Sequence, residues 1–193
     1  VEQIAADQSK SAAARGAAIS SRVEKTDFTG SGEKPPLVQF MTTYLHGDEM
    51  YDDSFSIETA SGEFLGETGV GVAHILPGEG KLVAALEVWL FDKNDIRTIT
   101  KVLLSEFTFR DDAVRAKLTA KGDLVQLQPC DRTTLETATL RVEARIVDLV
   151  YGTGSGAPAN SFLERITIEL AAWKREASSA SAAPAAPSAP PPA

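Results

Sequence analysis

The densest group of possible ligand side chains occupies residues 46–53, with the sequence His-Gly-Asp-Glu-Met-Tyr-Asp-Asp. Its carboxylates would supply the oxygen ligands that Ca²⁺ prefers, and its histidine would add a nitrogen ligand suited to Zn²⁺. The Asp-x-Asp-x-Asp-Gly spacing of a calcium loop is missing, and a glycine beside acidic residues is equally typical of a solvated turn. We favour the turn, and the alternative is a metal-binding module or a metal-dependent enzyme. The candidate metal ligands are His46, Asp48, Glu49, Asp52 and Asp53.

Signatures of nucleophilic or carboxylate catalysis are weak in this chain. His46 and His74 are its two histidines, and no Gly-x-Ser-x-Gly elbow or cysteine-centred motif accompanies them. His74 lies in an apolar, strand-like stretch, where a packed or surface histidine is commoner than a catalytic base. Glu87 and Glu143 could form a carboxylate pair across a sheet, but nothing in the sequence brings them together. We therefore expect no catalytic residues.

Glycine-rich stretches do not predict a phosphate site either. Residues 66–71 have glycines in the wrong order for a dinucleotide fingerprint, and residues 78–81 lack the Ser or Thr of a P-loop. Both are interpreted as turn or bulge glycines. Residues 92–95, Asp-Lys-Asn-Asp, predict a tight turn, because Asp and Asn tolerate left-handed backbone. No cofactor is expected.

Charge and cysteine content narrow the possible partners and the compartment. The net charge is −8, and the 19 basic residues form no cluster, so a nucleic-acid partner is not expected. Cys130 is the single cysteine, which rules out an intrachain disulfide and predicts a buried thiol. This fits a reducing compartment, cytoplasmic or facing the cytoplasm. No apolar stretch is long enough to span a membrane, so any membrane tether would lie outside this sequence.

The dominant periodicity in the middle of the chain is two. Apolar and polar residues alternate over 138–146 and over 162–170, as in strands with one buried and one solvated face. The Gly- and Pro-containing loop 151–160 would let them pair as an antiparallel hairpin or lie in facing sheets. Residues 82–91 are apolar on both faces apart from Glu87, which predicts a central strand covered on both sides.

The remaining elements complete a mainly β fold. Residues 96–107 favour a strand over a helix because of their β-branched content. Residues 111–120 predict one short helix, which Gly122 would end. Shorter strands are predicted at 37–45, 54–59, 63–65, 70–76 and 124–128. Together these patterns predict an antiparallel β-sandwich with one short helix.

Composition divides the chain into three parts. Residues 1–36 are rich in Ala, Gly and Ser with few large apolar side chains, which predicts a low-complexity, disordered arm and linker. Residues 37–174 carry the strands and form the domain. Residues 175–193 are a predicted disordered tail, because from Ala177 onward only Ala, Ser and Pro occur.

The aromatic side chains are predicted core material, although one of them could lie on an exposed face and mark a contact surface. These residues are Trp89, Phe91, Phe107, Phe109, Phe162 and Trp173. Taken with the missing catalytic signatures and the spacer-like ends, this indicates a non-catalytic module that contacts other proteins or serves a structural role. The sequence does not identify its partner or its oligomeric state.

Overall fold

Nine strands and three helices are present in the computed structural model, which describes residues 2–30, 32–78, 80–154 and 156–175. In chain order they are α1 (Glu2–Ser20), β1 (Val38–Leu45), β2 (Asp52–Glu58), β3 (Phe64–Ile75), β4 (Val83–Asp92), β5 (Arg97–Leu104), α2 (Glu106–Phe109), α3 (Asp112–Leu118), β6 (Asp123–Gln126), β7 (Arg132–Glu136), β8 (Leu140–Tyr151) and β9 (Leu163–Lys174). None of the described helices is long and apolar enough to cross a membrane.

The strands form two sheets, which confirms the predicted β-sandwich class. One sheet has four strands in the order β1-β9-β8-β7, and the other has five in the order β2-β3-β4-β5-β6. Neighbouring strands are antiparallel except β5 and β6. That pair is parallel because α2 and α3 carry the chain back across the sheet before β6 begins, as a crossover connection requires.

The core lies between the facing sheets and follows the predicted alternation. β8 and β9 pair as the long antiparallel hairpin that the sequence allowed. β4 is the middle strand of its sheet, as predicted for residues 82–91. The largest completely buried side chains come from both sheets and include Leu86, Leu90, Leu103, Leu140, Ile168 and Leu170. Their burial excludes water from both inner faces and is the main stabilising contribution.

The N-terminal segment differs from the expected disordered arm. α1 spans Glu2–Ser20 and packs on β1 through small residues. Ala12 is buried, and a Cβ added at Gly16 would lie 2.5 Å from the carbonyl oxygen of Thr43. Ser20 Oγ also hydrogen-bonds Thr43 Oγ1 at 2.8 Å. The apolar periodicity did not reveal this helix, because its contact surface consists of Ala, Gly and Ser and not of large apolar side chains.

The segment before β1 also packs on the sandwich. The Thr26 backbone N–H and hydroxyl both donate to the carboxylate of Glu169, and the buried Phe28 ring meets the Trp173 ring edge-on. The ordered unit therefore begins well before Leu37. At the other end, the predicted tail from 176 to 193 lies outside the described residues.

The smaller elements agree with those predicted from the sequence, with three exceptions. The strand predicted at 96–107 is confirmed over 97–104 as β5, but its last two residues belong to α2. The helix predicted at 111–120 is confirmed as α3, which Asp111 caps. The two strands predicted at 63–65 and 70–76 are one strand, β3, in which Gly69 leaves room for the Trp89 ring. Neither α2 nor β7 was predicted, because four or five residues are too few to show a period.

Candidate functional site

The acidic loop runs from the end of β1 into β2, and three of its four carboxylates have separate partners. Asp48 is buried and accepts hydrogen bonds from Ser9 Oγ and from the Met50 backbone N–H, both at 3.3 Å. Glu49 forms an ion pair with Lys81, and Asp53 accepts a hydrogen bond from the Thr42 hydroxyl.

The candidate metal ligands of the acidic loop do not lie together in the structure. Asp52 and Asp53 are adjacent in β2, so their side chains point to opposite faces of the sheet. In the part of the chain that the structure describes, no three His, Cys, Asp or Glu side chains lie together in a way that could hold a metal ion. Burial raises the pKa of Asp48, which reflects its enclosed position under α1.

Within the described residues, the two histidines lie in different surroundings and neither has a hydroxyl or thiol partner. His46 lies beside the Phe162 ring, with 5.6 Å between ring centroids. His74 lies on β3, and burial lowers the pKa of its imidazole. Among the described residues neither imidazole hydrogen-bonds a Ser, Thr or Cys side chain, and His46 Nδ1 and His74 Nε2 are buried without a hydrogen-bond partner. In the described part of the chain, neither histidine therefore has the hydrogen-bonded nucleophile with which a catalytic base acts.

The two glutamates considered as a pair lie on different sheets. Glu87, on β4, pairs with Lys121 at 2.9 Å, whereas Glu143, on β8, pairs with Arg132 at 3.1 Å. These contacts are ordinary partly exposed ion pairs.

The thiol of Cys130 is exposed, which corrects the prediction of a buried thiol. Cys130 lies in the connection between β6 and β7 and has a φ of 64°. Because Cys130 lies in a turn at the surface, its thiol is exposed despite the usual tendency of cysteine to be buried.

A different surface combines an aromatic side chain with several charges, and we name it the Trp173 groove. It consists of two adjoining hollows of about 600 and 440 Å³ that share Lys34, Trp173, Lys174 and Arg175. The groove lies at the end of β9, where the segment before β1 crosses the outer face of the four-stranded sheet. The other lining residues are Pro35, Leu37, Asn94 and Thr139 in the larger hollow, and Glu33, Glu136 and Arg141 in the smaller.

Three contacts fix the Trp173 ring. The Phe28 ring meets it nearly perpendicularly, with centroids 5.0 Å apart, and the Arg141 guanidinium lies over it at 4.7 Å. Its indole Nε1–H donates to the Lys34 carbonyl oxygen at 2.8 Å. The indole is therefore held in one orientation. A partner that contacts it would cause little further loss of side-chain conformational entropy.

The groove carries an excess of positive charge on an acidic protein. It has four cationic side chains, Lys34, Arg141, Lys174 and Arg175, and two acidic ones, Glu33 and Glu136. Arg175 pairs with Glu136 at 3.7 Å. Lys174 is exposed and forms no ion pair within the described residues. With a net charge of −8 over the whole chain, this excess is a local feature.

The period-two pattern contained a signal for this groove. In β9 the even-numbered residues Ile166, Ile168 and Leu170 face the core. Trp173 is odd-numbered, so the alternation places it on the outer face with Thr167 and Glu169. Residue type alone groups Trp173 with the core aromatics, whereas strand register places it on the outer face.

No family model, curated protein or solved structure matches this chain.

Proposed function

We propose that this domain is a non-catalytic protein-interaction module, and that the Trp173 groove binds an acidic peptide segment that also carries an apolar side chain. The observation that carries the proposal is the fixed Trp173 indole, bordered by cationic side chains on a protein whose net charge is −8.

The apolar part of the groove supplies the anchor. Trp173, Pro35 and the exposed side chain of Leu37 line the larger hollow. Tryptophan buries a large area and is enriched among residues that dominate interface energies. Because the ring is already fixed, an apolar side chain of the peptide can desolvate it at a small cost in conformational entropy.

The cations select the charge of the partner. Lys174 and the guanidinium groups of Arg141 and Arg175 would face the carboxylates of an acidic segment, whereas the rest of the acidic surface would repel it. Such complementarity contributes mainly to association rate and specificity, and salt weakens it. A basic or nucleic-acid partner lacks this match.

The proposal can be tested with a synthetic peptide of Glu and Asp residues around a central Leu. In a Trp89→Phe background, Trp173 is the one remaining tryptophan, so its fluorescence reports contact at the groove. We expect a saturable fluorescence change that weakens with added salt and is absent for the same peptide with Lys in place of its acidic residues.

A matched pair of charge reversals locates the binding. Lys174→Glu lies in the groove, whereas Lys10→Glu changes the net charge equally on the exposed side of α1. We expect Lys174→Glu to weaken binding at least about fivefold and Lys10→Glu to change it by less than about twofold. Equal effects of the two variants, or equal binding of acidic and basic peptides, would reject the proposal.

A further inference from the structure

β7 (Arg132–Glu136) is an edge strand of the four-stranded sheet. An edge strand presents unpaired backbone N–H and C=O groups and is a template for pairing with another chain. The opposite edge of the same sheet, β1, is covered, because α1 packs against the Thr43 carbonyl. No described strand pairs with the outer side of β7.

The hydrogen bonds that flank β7 show which of its backbone groups face outward. The Thr137 N–H donates to the Leu140 carbonyl, and the Ile146 N–H donates to the Asp131 carbonyl, each at 2.9 Å. In the uninterrupted antiparallel register, the odd-numbered residues therefore bond to β8. The N–H and C=O groups of the even-numbered residues, Arg132, Thr134 and Glu136, point away from it.

Space is available beside this edge. A hollow of about 660 Å³ lies along β7 and is lined by Thr134, Leu135 and Glu136. Its other walls are Ile99, Thr100, Lys101, Asp123 and Arg141. The edge carries no proline and no bulge that would block a further strand.

The sequence of β7 is complementary to itself when two copies run antiparallel. With Thr134 opposite Thr134 of a second copy, Arg132 lies opposite Glu136 of that copy, and Glu136 lies opposite its Arg132. All three facing positions then use outward-pointing backbone groups. Opposite charges and paired threonines are favourable cross-strand neighbours. A shift by two residues keeps backbone pairing but loses both charge pairs.

The charged side chains of β7 all lie on one face of the sheet, where they could pair with those of a second copy. Thr133 and Leu135 point into the core, whereas Arg132 and Glu136 are exposed on the outer face of the sheet. Arg132 already contacts Glu143 at 3.1 Å, and Glu136 contacts Arg175 at 3.7 Å. The new pairs would therefore extend an existing row of alternating charges.

We infer that two copies of this chain associate through β7, which makes one continuous eight-stranded sheet with two-fold symmetry. A two-fold axis through Thr134 gives each copy the same contacts, as in a closed isologous dimer. Glu136 also lines the Trp173 groove. The inference nevertheless does not rest on the peptide-binding proposal, because dimer formation is measured on the free protein without peptide.

Sedimentation velocity of the full chain tests the inference from about 5 to about 500 µM, a range that covers weak interfaces. We expect the mass to rise with concentration from the 20.5 kDa of one chain toward twice that value. A wild-type protein that stays monomeric at the highest concentration would overturn the inference.

Charge-reversal variants provide a complementation test. Arg132→Glu and Glu136→Arg each place like charges opposite one another in two copies, so each alone should raise the dissociation constant at least about tenfold. An equimolar mixture of the two variants restores both opposite-charge pairs and should recover the dimer. The double variant R132E/E136R should recover it as well.

A proline substitution in β7 tests whether the two copies associate through this edge or through another surface. The Thr134 N–H points away from β8, so Thr134→Pro removes a donor needed by the second copy and none needed by β8. This variant should be monomeric, with a far-ultraviolet circular dichroism spectrum like that of wild type. If the mixture of Arg132→Glu and Glu136→Arg chains forms dimers, both variants must be folded. A dimer unaffected by all three single changes would assign association to another face and contradict the inference.

Discussion

Individual polar residues hold the sandwich together at points that composition does not reveal. Asp92 is completely buried at the end of β4 and accepts hydrogen bonds from Thr137 Oγ1 at 2.6 Å and from the Thr139 backbone N–H at 3.0 Å. Its carboxylate therefore joins the turn after β4 to the turn before β8, which belongs to the other sheet. The sequence predicted the turn at 92–95 correctly, but the partner turn lies 45 residues away.

The acidic loop gives a prediction at the same scale. Adding Ca²⁺ or Zn²⁺ should leave the melting temperature unchanged, because the carboxylates of Asp48, Glu49 and Asp53 are engaged by separate partners. A ligand that does not bind the native state selectively gives no stabilisation by linkage. Differential scanning calorimetry with and without metal would check this. A rise of several degrees that disappears in Asp52→Asn would establish a metal site instead.

Secondary-structure elements were predictable where periodicity spans enough residues. β8 and β9 span 12 residues each and were identified by their alternation, whereas β4 spans 10 residues and was identified by its continuous apolar run. β7 has five residues and α1 has no large apolar stripe, so both were missed. The two surfaces proposed for binding depend on strand register and on long-range packing. The Trp173 groove requires Phe28 and Lys34 to return to β9, and no local pattern encodes that return.

The contact between α1 and β1 can be tested by adding one methyl group at Gly16. In an isolated helix, Gly→Ala is stabilising by about 1 kcal/mol. In Gly16→Ala the new Cβ would meet the Thr43 carbonyl, a backbone atom that cannot move aside easily. We therefore expect Gly16→Ala to destabilise the protein by about 1–3 kcal/mol in urea unfolding, as overpacking does.

A control at an exposed position of the same helix separates packing from propensity. Ser11→Ala should change stability by less than about 0.5 kcal/mol. Stabilisation by Gly16→Ala would show that α1 does not pack on β1 in solution.

Over the whole molecule, buried carboxylates with opposite pKa shifts connect the layers. Burial raises the pKa of Asp92, but hydrogen bonds from Thr137 and Thr139 outweigh this and hold it below its usual 3.8. For Glu169, burial is likewise outweighed by hydrogen bonds from Thr26 and Arg145, so its pKa lies below 4.5. Burial dominates at Asp48 and raises its pKa. Asp92 joins the two sheets, Glu169 holds the segment before β1, and Asp48 contacts α1.

These directions predict how stability depends on pH. A lowered pKa gives stability that is present above the unfolded-state value and is lost as the pH falls through the folded-state value. A raised pKa gives the reverse, with stability present below the unfolded-state value and lost as the pH rises through the folded-state value. Because two structural carboxylates have lowered values, the free energy of unfolding should fall as the pH decreases from about 5 to about 2.

Two isosteric variants should separate the opposing contributions, each measured by urea unfolding at several pH values. The stability advantage of wild type over Asp92→Asn should shrink as the pH falls through this range, since protonation removes the charge that Thr137 and Thr139 stabilise. Its advantage over Asp48→Asn should instead grow, because protonated Asp48 no longer has a buried charge. An exposed control, Asp123→Asn, should show neither trend. Parallel trends for Asp92→Asn and Asp48→Asn would mean that acid acts through net charge alone and that the buried hydrogen bonds of Asp92 do not join the sheets.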